Sequence, residues 1–402
     1  MHRLAEVLTP RRLLAALAVA LLLCMALALW EWRLLWFALY LGLLLAAGAA
    51  WWGWRTWRRR AGAQLAEAVA PSHDPSAEVA ALRTAIQEAV ATIKTSKLGL
   101  ARGAAALYEL PWYMIIGHPS AGKSSAIASS GLQFPLPGRQ ARHGAGGTRH
   151  CDWFFTTEGI LLDTAGRYAV EERDREEWFR FLGLLRRHRR RAPINGIIIA
   201  ASVGDLLEGP PQKNLDLARE LRTRIQELTE RLGVHAPVYV LFTKVDLVAG
   251  FGDLFHDSEP AERDRIWGAT IRYNRRRTHQ DVLGFFDARF DELHQGVQEL
   301  SLAALGADAQ ARAGVFTFPL EFAALKPVLR GFLATLFEEN TYQFRPVFRG
   351  FYFTSALQEG ARHCAASDRV AQRFGLKLEQ APEAAPPQLG YFLRDLFRQV
   401  IF

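Results

Sequence analysis

The residues best suited to chemistry in this chain are the consecutive positions 117–124, which read Gly-His-Pro-Ser-Ala-Gly-Lys-Ser. They match the phosphate-binding pattern G-x-x-x-x-G-K-[ST], in which backbone N–H groups and the following helix N-terminus hold phosphate oxygens. In this pattern Lys123 reaches the β- and γ-phosphates and Ser124 holds Mg²⁺. The apolar run 112–116 in front of the loop is typical of a buried strand, and residues 125–130 can open a helix. The sequence therefore predicts a nucleoside triphosphate site here.

Two further nucleotide motifs follow in the expected order, and each comes directly after an apolar, strand-like run. The first is Asp163-Thr-Ala-Gly166, in which the carboxylate would stand beside Mg²⁺ and the glycine N–H beside the γ-phosphate. The second is Thr243-Lys-Val-Asp246, an [NT]-K-x-D motif of the kind whose carboxylate accepts both guanine N–H groups in GTPases. Together the three motifs predict these nucleotide-binding residues: Gly117, His118, Pro119, Ser120, Ala121, Gly122, Lys123, Ser124, Ser125, Gly166, Thr243, Lys244 and Asp246.

Arg167 follows the Asp-x-x-Gly motif, at the position where Ras-like GTPases place a Gln that orients the attacking water. An arginine cannot accept the proton of that water, so the usual arrangement is absent. Arg167 either stabilises transition-state charge, as an arginine finger does, or forms a salt bridge or a domain contact. We therefore name Lys123 and Arg167 as the candidate catalytic residues.

The predicted Mg²⁺ ligands are Ser124, Thr148 and Asp163. Thr148 lies in the Gly-rich stretch 144–149, a segment suited to ordering on nucleotide binding, and is either the switch threonine or an ordinary loop residue. The Asp246 carboxylate favours GTP, because adenine has no matching pair of donors. No clear Ser-Ala-Lys-type base loop occurs before residues 315–318, however, so the predicted cofactor is Mg²⁺ with GTP or ATP.

Two long apolar runs, residues 13–30 and 34–54, precede the nucleotide motifs. At about 1.5 Å rise per residue each run spans roughly 27–32 Å, which matches a hydrocarbon core of about 30 Å. Arginines flank the pair on both outer sides, so the positive-inside rule predicts a transmembrane helical hairpin with both ends in the cytoplasm. The alternative for the first run is a cleaved signal peptide, and the presence of the second run argues against it.

The composition limits the remaining function classes. The 402 residues include 49 Lys and Arg against 41 Asp and Glu, a net charge of +8. Part of this excess flanks the apolar runs, and further basic runs lie at 186–191 and 272–277. They favour a solvated helix end, or contact with the membrane or an acidic partner, and no accompanying motif predicts nucleic-acid binding. The three cysteines show no zinc or disulfide spacing.

The predicted fold class is a transmembrane helical hairpin followed by an α/β P-loop NTPase domain of the Ras-like GTPase type, with a mostly helical C-terminal extension. The predicted limits are residues 1–60 for the hairpin, 61–106 for a linker and an amphipathic helix, 107–255 for the NTPase core and 256–402 for the extension. Within the extension, residues 314–318 and 348–354 are predicted strands and residues 325–339 a helix. The apolar end of the chain suggests a truncated part of a larger protein.

Several specific strings resemble the N-terminal part of the TssM, or IcmF-like, family of inner-membrane subunits of bacterial type VI secretion systems. The resemblance covers nearly the whole chain and includes the apolar hairpin. The strings that carry it are residues 111–117, 130–135, 147–153, 161–168, 349–355 and 391–397.

The resemblance implies an inner-membrane scaffold with its large domain in the cytoplasm, onto which baseplate proteins and a sheathed injection machine dock. It implies as partners the bilayer, further copies of the chain, and the subunits TssL and TssJ, the last through a periplasmic part that this sequence lacks. Three possibilities stay open: a slow NTPase that drives assembly, a scaffold whose nucleotide is bound but not turned over, and an unrelated membrane-tethered GTPase. IcmF relatives of type IV secretion are the neighbouring group.

Overall fold

The computed structural model describes residues 18–22, 25, 75–95, 105–135, 151–170, 174–272, 281–307, 313–356, 373 and 390–402. The chain divides into two compact units, Met1–Asp74 and Pro75–Phe402. The described part of the first unit is limited to residues 18–22 and 25, which are helical, so most of the predicted hairpin lies outside the described residues. Among the helices that are described, none has both the length and the apolar character that a membrane crossing requires.

A seven-stranded sheet forms the centre of the second unit, in the order β2-β3-β1-β4-β5-β7-β6. β3, β1, β4, β5 and β7 run parallel, and β2 and β6 pair antiparallel at the two edges. The strands are β1 Trp112–Ile116, β2 Cys151–Phe155, β3 Ile160–Thr164, β4 Gly196–Ser202, β5 Pro237–Thr243, β6 Gly268–Thr270 and β7 Val347–Phe353.

Helices cover both faces of the sheet, which is why the inner strands read as continuous apolar runs: every residue of β1, β3 and β4 is buried. The α-helices are α1 Pro75–Thr95, α2 Ala106–Glu109, α3 Lys123–Ala128, α4 Arg167–Val170, α5 Arg175–His188, α6 Val203–Glu208, α7 Pro211–Leu232, α8 Phe251–Phe255, α9 Pro260–Arg263, α10 Val282–Ala307 and α11 Ala313–Leu336. A 3₁₀ turn follows β5 at Val245–Leu247, and a π-helix spans Leu396–Ile401.

The two faces of the sheet carry separate apolar clusters, because side chains alternate along each strand. Trp112, Met114 and Phe242 point to the side covered by α5, α7 and α11. Tyr113, Ile115 and their neighbours point to the other side, which α3 and the π-helix cover. The α/β part of the predicted fold is therefore confirmed.

The region beyond residue 255 completes the sheet rather than forming only helices. The predicted strand 348–354 is confirmed as β7, whereas the predicted strand at 314–318 is wrong because these residues begin α11. Val315, Phe318 and Phe322 are buried at the spacing of a helix, while Phe316 is exposed. A short apolar run with this mixed pattern does not distinguish the helical period from the strand period, which is why the strand prediction is wrong here. The domain limit at 255 stays a prediction; the sheet takes β6 and β7 from beyond it.

Candidate functional site

The phosphate-loop sequence joins the carboxyl end of β1 to α3 at the point where the sheet order changes direction, since β3 and β4 lie on opposite sides of β1. Ligands of open α/β sheets bind at such switch points. Ser120 and Gly122 have φ values of 62° and 74°, and Gly122 precedes α3 without a side-chain cap on the helix. A Cβ on Gly117 would meet the Ala200 carbonyl oxygen at 2.3 Å, so this position must be glycine for the loop to pass β4.

Lys123 lies inside this loop and is 6% exposed. Its Nζ donates to the carbonyl oxygens of Gly117 at 2.9 Å and His118 at 3.0 Å. Burial lowers the pKa of the Lys123 ammonium, and the nearby Asp163 carboxylate partly offsets this. The buried Lys123 ammonium is therefore a positive charge inside the loop, and it can bind an anion such as a phosphate group.

Ser124 and Asp163 bring two oxygen donors together beside Lys123. The Ser124 hydroxyl donates to Asp163 Oδ2, and Asp163 is fully buried at the end of β3, in register with Ile115 of β1. Hydroxyl and carboxylate oxygens are the hard ligands that Mg²⁺ prefers. These donors therefore fit the predicted metal.

Gly166 places the loop that follows β3 directly against the phosphate loop. A Cβ on Gly166 would meet the Pro119 nitrogen at 2.4 Å and its Cα at 2.5 Å, which no side chain could tolerate. The two loops thus form one continuous cradle, and glycine is the residue that permits this close approach.

Thr243 connects the third motif to the first. Its hydroxyl donates to the Ala121 carbonyl oxygen at 2.7 Å, so the end of β5 is hydrogen-bonded to the phosphate loop. The chain then turns sharply at Lys244, with a φ of 58°, into the 3₁₀ turn that contains the buried Asp246. Residues that are far apart in sequence thus lie together at the carboxyl ends of β1, β3 and β5.

Arg167 occupies an ion-pair network at the start of α5. Its guanidinium contacts Asp174 Oδ1 at 3.0 Å and Glu177 Oε2 at 2.9 Å, and both carboxylates are buried. The Tyr168 hydroxyl also donates to Glu177. The structure therefore places Arg167 in salt bridges, which was one of the two alternatives; its catalytic role stays a prediction. Thr148 lies outside the described residues.

The sequence reasoning missed a segment at the end of β7, where residues 354–356 read Thr-Ser-Ala. The Thr354 N–H donates to the Phe242 carbonyl oxygen at 2.9 Å, and the Thr354 carbonyl accepts from the Val245 N–H at 3.2 Å. The Ser-Ala pair therefore lies beside the Thr-Lys-x-Asp turn, which is the place in the fold that a base-binding loop would occupy. The sequence signal was present, but it lies more than a hundred positions after β5.

The sheet order and the loop after β1 define an α/β domain of the P-loop NTPase type. A family model described as the IcmF-related N-terminal domain matches residues 171–402, and the chain belongs to this family. The recognition of a TssM- or IcmF-like protein from sequence is therefore confirmed.

A relative from Pseudomonas aeruginosa, named type VI secretion system component TssM1, is 41% identical over 350 residues, which are 84% of this chain and 32% of the relative. The chain thus spans about a third of the length of the curated relative that it matches.

Two solved structures of nucleotide-bound GTPases are also similar. The Arl6 BBS3 small GTPase from Trypanosoma brucei is 14% identical, over 34% of this chain and 68% of that one, with a TM-score of 0.22. The signal recognition particle receptor SRb-GTP/SRX complex from Chaetomium thermophilum is 17% identical, over 36% and 75%, with a TM-score of 0.23. At such scores, the fold assignment rests on this chain's own sheet order and loop.

Proposed function

We propose that this chain is part of an inner-membrane scaffold subunit of a bacterial type VI secretion complex. Membership of the IcmF-related family and the similarity to the type VI secretion component TssM1 of Pseudomonas aeruginosa support this role. The two apolar runs at 13–30 and 34–54 anchor the chain in the inner membrane with both ends in the cytoplasm. Its partners are then other membrane-complex subunits such as TssL and TssJ, baseplate proteins, and further copies of the chain.

The α/β unit of this scaffold binds a nucleoside triphosphate with Mg²⁺. One observation carries this part of the proposal: the Ser124 hydroxyl meets the Asp163 carboxylate next to the buried Lys123. Ser124 and Asp163 would hold the metal, with Thr148 as the third predicted ligand, and Lys123 would contact the phosphates. Bound Mg²⁺ neutralises charge that develops on phosphate oxygens.

The base is guanine in this proposal. Asp246 supplies the acceptor, and Thr243 couples the base motif to the phosphate loop through the Ala121 carbonyl. The Ser355–Ala356 pair lies next to this turn, because β7 pairs with β5 and ends at the same edge of the sheet.

A scaffold that binds nucleotide without rapid turnover is the form of this function that the geometry favours. No Gln follows the Asp-x-x-Gly motif, and the Arg167 guanidinium is already engaged by Asp174 and Glu177. Slow hydrolysis that drives assembly is the second candidate. It requires Arg167, or a residue from a partner, to reach the transferred phosphate.

Calorimetry of the purified full chain in nanodiscs tests the nucleotide site. We expect GTP to bind only with Mg²⁺ present, and Lys123→Ala to weaken binding by more than tenfold, a loss of about 1.4 kcal/mol or more. Lys326→Ala is the matched control, because Lys326 of α11 is a half-buried lysine whose ion-pair partner is the exposed Asp291 of α10. Equal GTP affinity of Lys123→Ala and the parent would overturn the proposal.

A further inference from the structure

Six exposed cations gather where three helices of the α/β unit end. They are Lys94 of α1, Arg186 and Arg187 of α5, Arg190 and Arg191 just after it, and Arg231 of α7, and we call them the basic face. Arg186 Nη1 donates to the Arg231 carbonyl oxygen at 2.9 Å, which joins the ends of α5 and α7. α1 also packs against α5. Partial burial, followed by the charges of Arg187 and Lys94, lowers the pKa of the His188 imidazole.

A buried arginine fixes the orientation of this face. Arg189 is 1% exposed and donates to the carbonyl oxygens of Leu107 and Leu110 and to Asn195 Oδ1. Its guanidinium also lies over the Trp112 ring, 4.8 Å from the ring centre. Because Arg189 is held inside, its basic neighbours in the run are directed to solvent.

Many exposed cations elsewhere in the unit pair with carboxylates, as in Arg219–Asp216, Arg289–Glu292 and Arg330–Asp287. Single exposed cations such as Lys213 and Arg265 have no such partner among the described residues, but they do not form a cluster of six. Within the part of the chain that the structure describes, the six cations of the basic face form no ion pair with a carboxylate. Their positive charges are therefore available to bind an anionic partner molecule.

We propose that the basic face docks on an anionic lipid surface, an inference that rests on the membrane hairpin of the proposed function. The predicted second span ends at Trp54 and the α/β unit begins at Pro75. The residues 55–74 between them reach at most roughly 70 Å when extended, so the unit stays near the bilayer. Anionic lipid attracts each nearby Lys or Arg strongly enough to change partitioning by roughly fivefold.

An exposed aromatic residue favours lipid over an acidic protein or a nucleic acid. Tyr108 is 37% exposed, its hydroxyl accepts from the Arg191 N–H at 3.4 Å, and the Arg189 guanidinium lies 5.4 Å from its ring centre. Amphipathic tyrosine rings with neighbouring cations are typical of the headgroup level of membranes.

Docking by this face leaves the nucleotide site free. Arg189 contacts Trp112 at the start of β1, whereas the phosphate loop follows the end of β1. A strand of five residues separates the two by about 17 Å. The basic face and the nucleotide site thus lie at opposite ends of the parallel strands.

Hydrogen exchange of the full chain in nanodiscs tests the docking, with discs of phosphatidylcholine alone or mixed with phosphatidylglycerol. Exchange of residues 105–110 and 184–191 should slow by about threefold or more in the anionic discs, and raising NaCl from about 50 mM to about 500 mM should remove the effect. The α10 helix, Val282–Ala307, is the internal reference and should not change.

The test variant is R187Q/R190Q/R191Q, and its control R219Q/R289Q/R330Q removes the same charge from the ion-paired surface. The control should retain the slowing and the test variant should lose it. Equal exchange in both discs, or equal slowing in both variants, overturns the proposal, as does slowing produced by a polyanion but not by phosphatidylglycerol. If the chain does not enter discs, the hairpin of the proposed function is wrong, and the same comparison with added vesicles still tests the basic face.

Discussion

Replacing Arg167 by Ala tests whether this side chain serves the fold or the chemistry. Its guanidinium contacts Asp174 at 3.0 Å and Glu177 at 2.9 Å, and both carboxylates are almost fully buried. Replacing the arginine by Ala removes both of these ion pairs, and breaking a buried pair costs about 3–5 kcal/mol. Arg167 itself is 20% exposed, so water can enter the space that it leaves, and we expect the lower end of that range, about 3 kcal/mol.

Thermal unfolding of the nucleotide-free protein, followed by circular dichroism, measures this loss. At roughly 2–4 °C per kcal/mol, the midpoint of Arg167→Ala should fall by about 6–12 °C. The matched control is Arg219→Ala, which removes an exposed pair with Asp216 at 2.7 Å and should cost less than about 1 kcal/mol. Adding Glu177→Gln to Arg167→Ala neutralises one of the two buried carboxylates and should recover part of the loss.

The two possible roles of Arg167 give opposite results. If it is a structural residue, Arg167→Ala loses stability while hydrolysis per folded molecule, if there is any, remains near that of the parent. An Arg167→Ala protein as stable as the parent that no longer hydrolyses GTP would refute the structural reasoning and establish an arginine finger.

Three further outcomes are expected. Thr243→Val removes the donor to the buried Ala121 carbonyl oxygen and should lower the free energy of unfolding by about 1–3 kcal/mol. The control Thr223→Val, on the exposed face of α7, should lower it little. Equal melting midpoints of the two variants would contradict this expectation. Asp246→Ala should abolish the preference for GTP over ATP in competition binding, and an unchanged preference would remove Asp246 from the base site. A reporter fused after Arg60 should behave as cytoplasmic, and a periplasmic signal would overturn the predicted topology.

The sequence alone determined the features that depend on consecutive residues. The phosphate loop, the Asp163 motif and the Thr243 motif each follow an apolar run, and those runs are β1, β3 and β5. Such signals are local, because strand burial, loop glycines and helix starts are set by neighbouring positions. The same reasoning was wrong at residues 314–318, where a run too short to distinguish helical from strand period was assigned to a strand.

Tertiary structure alone decided which distant groups meet. The Ser355–Ala356 pair lies beside the base motif only because β7 pairs with β5. In the sequence, the two long helices α10 and α11 separate these strands. The basic run 186–191 has one buried member, and only the carbonyls of Leu107 and Leu110 show that it is Arg189. Partners such as these are selected by packing between segments far apart in the chain, and a local pattern carries no information about which charge will find a buried partner.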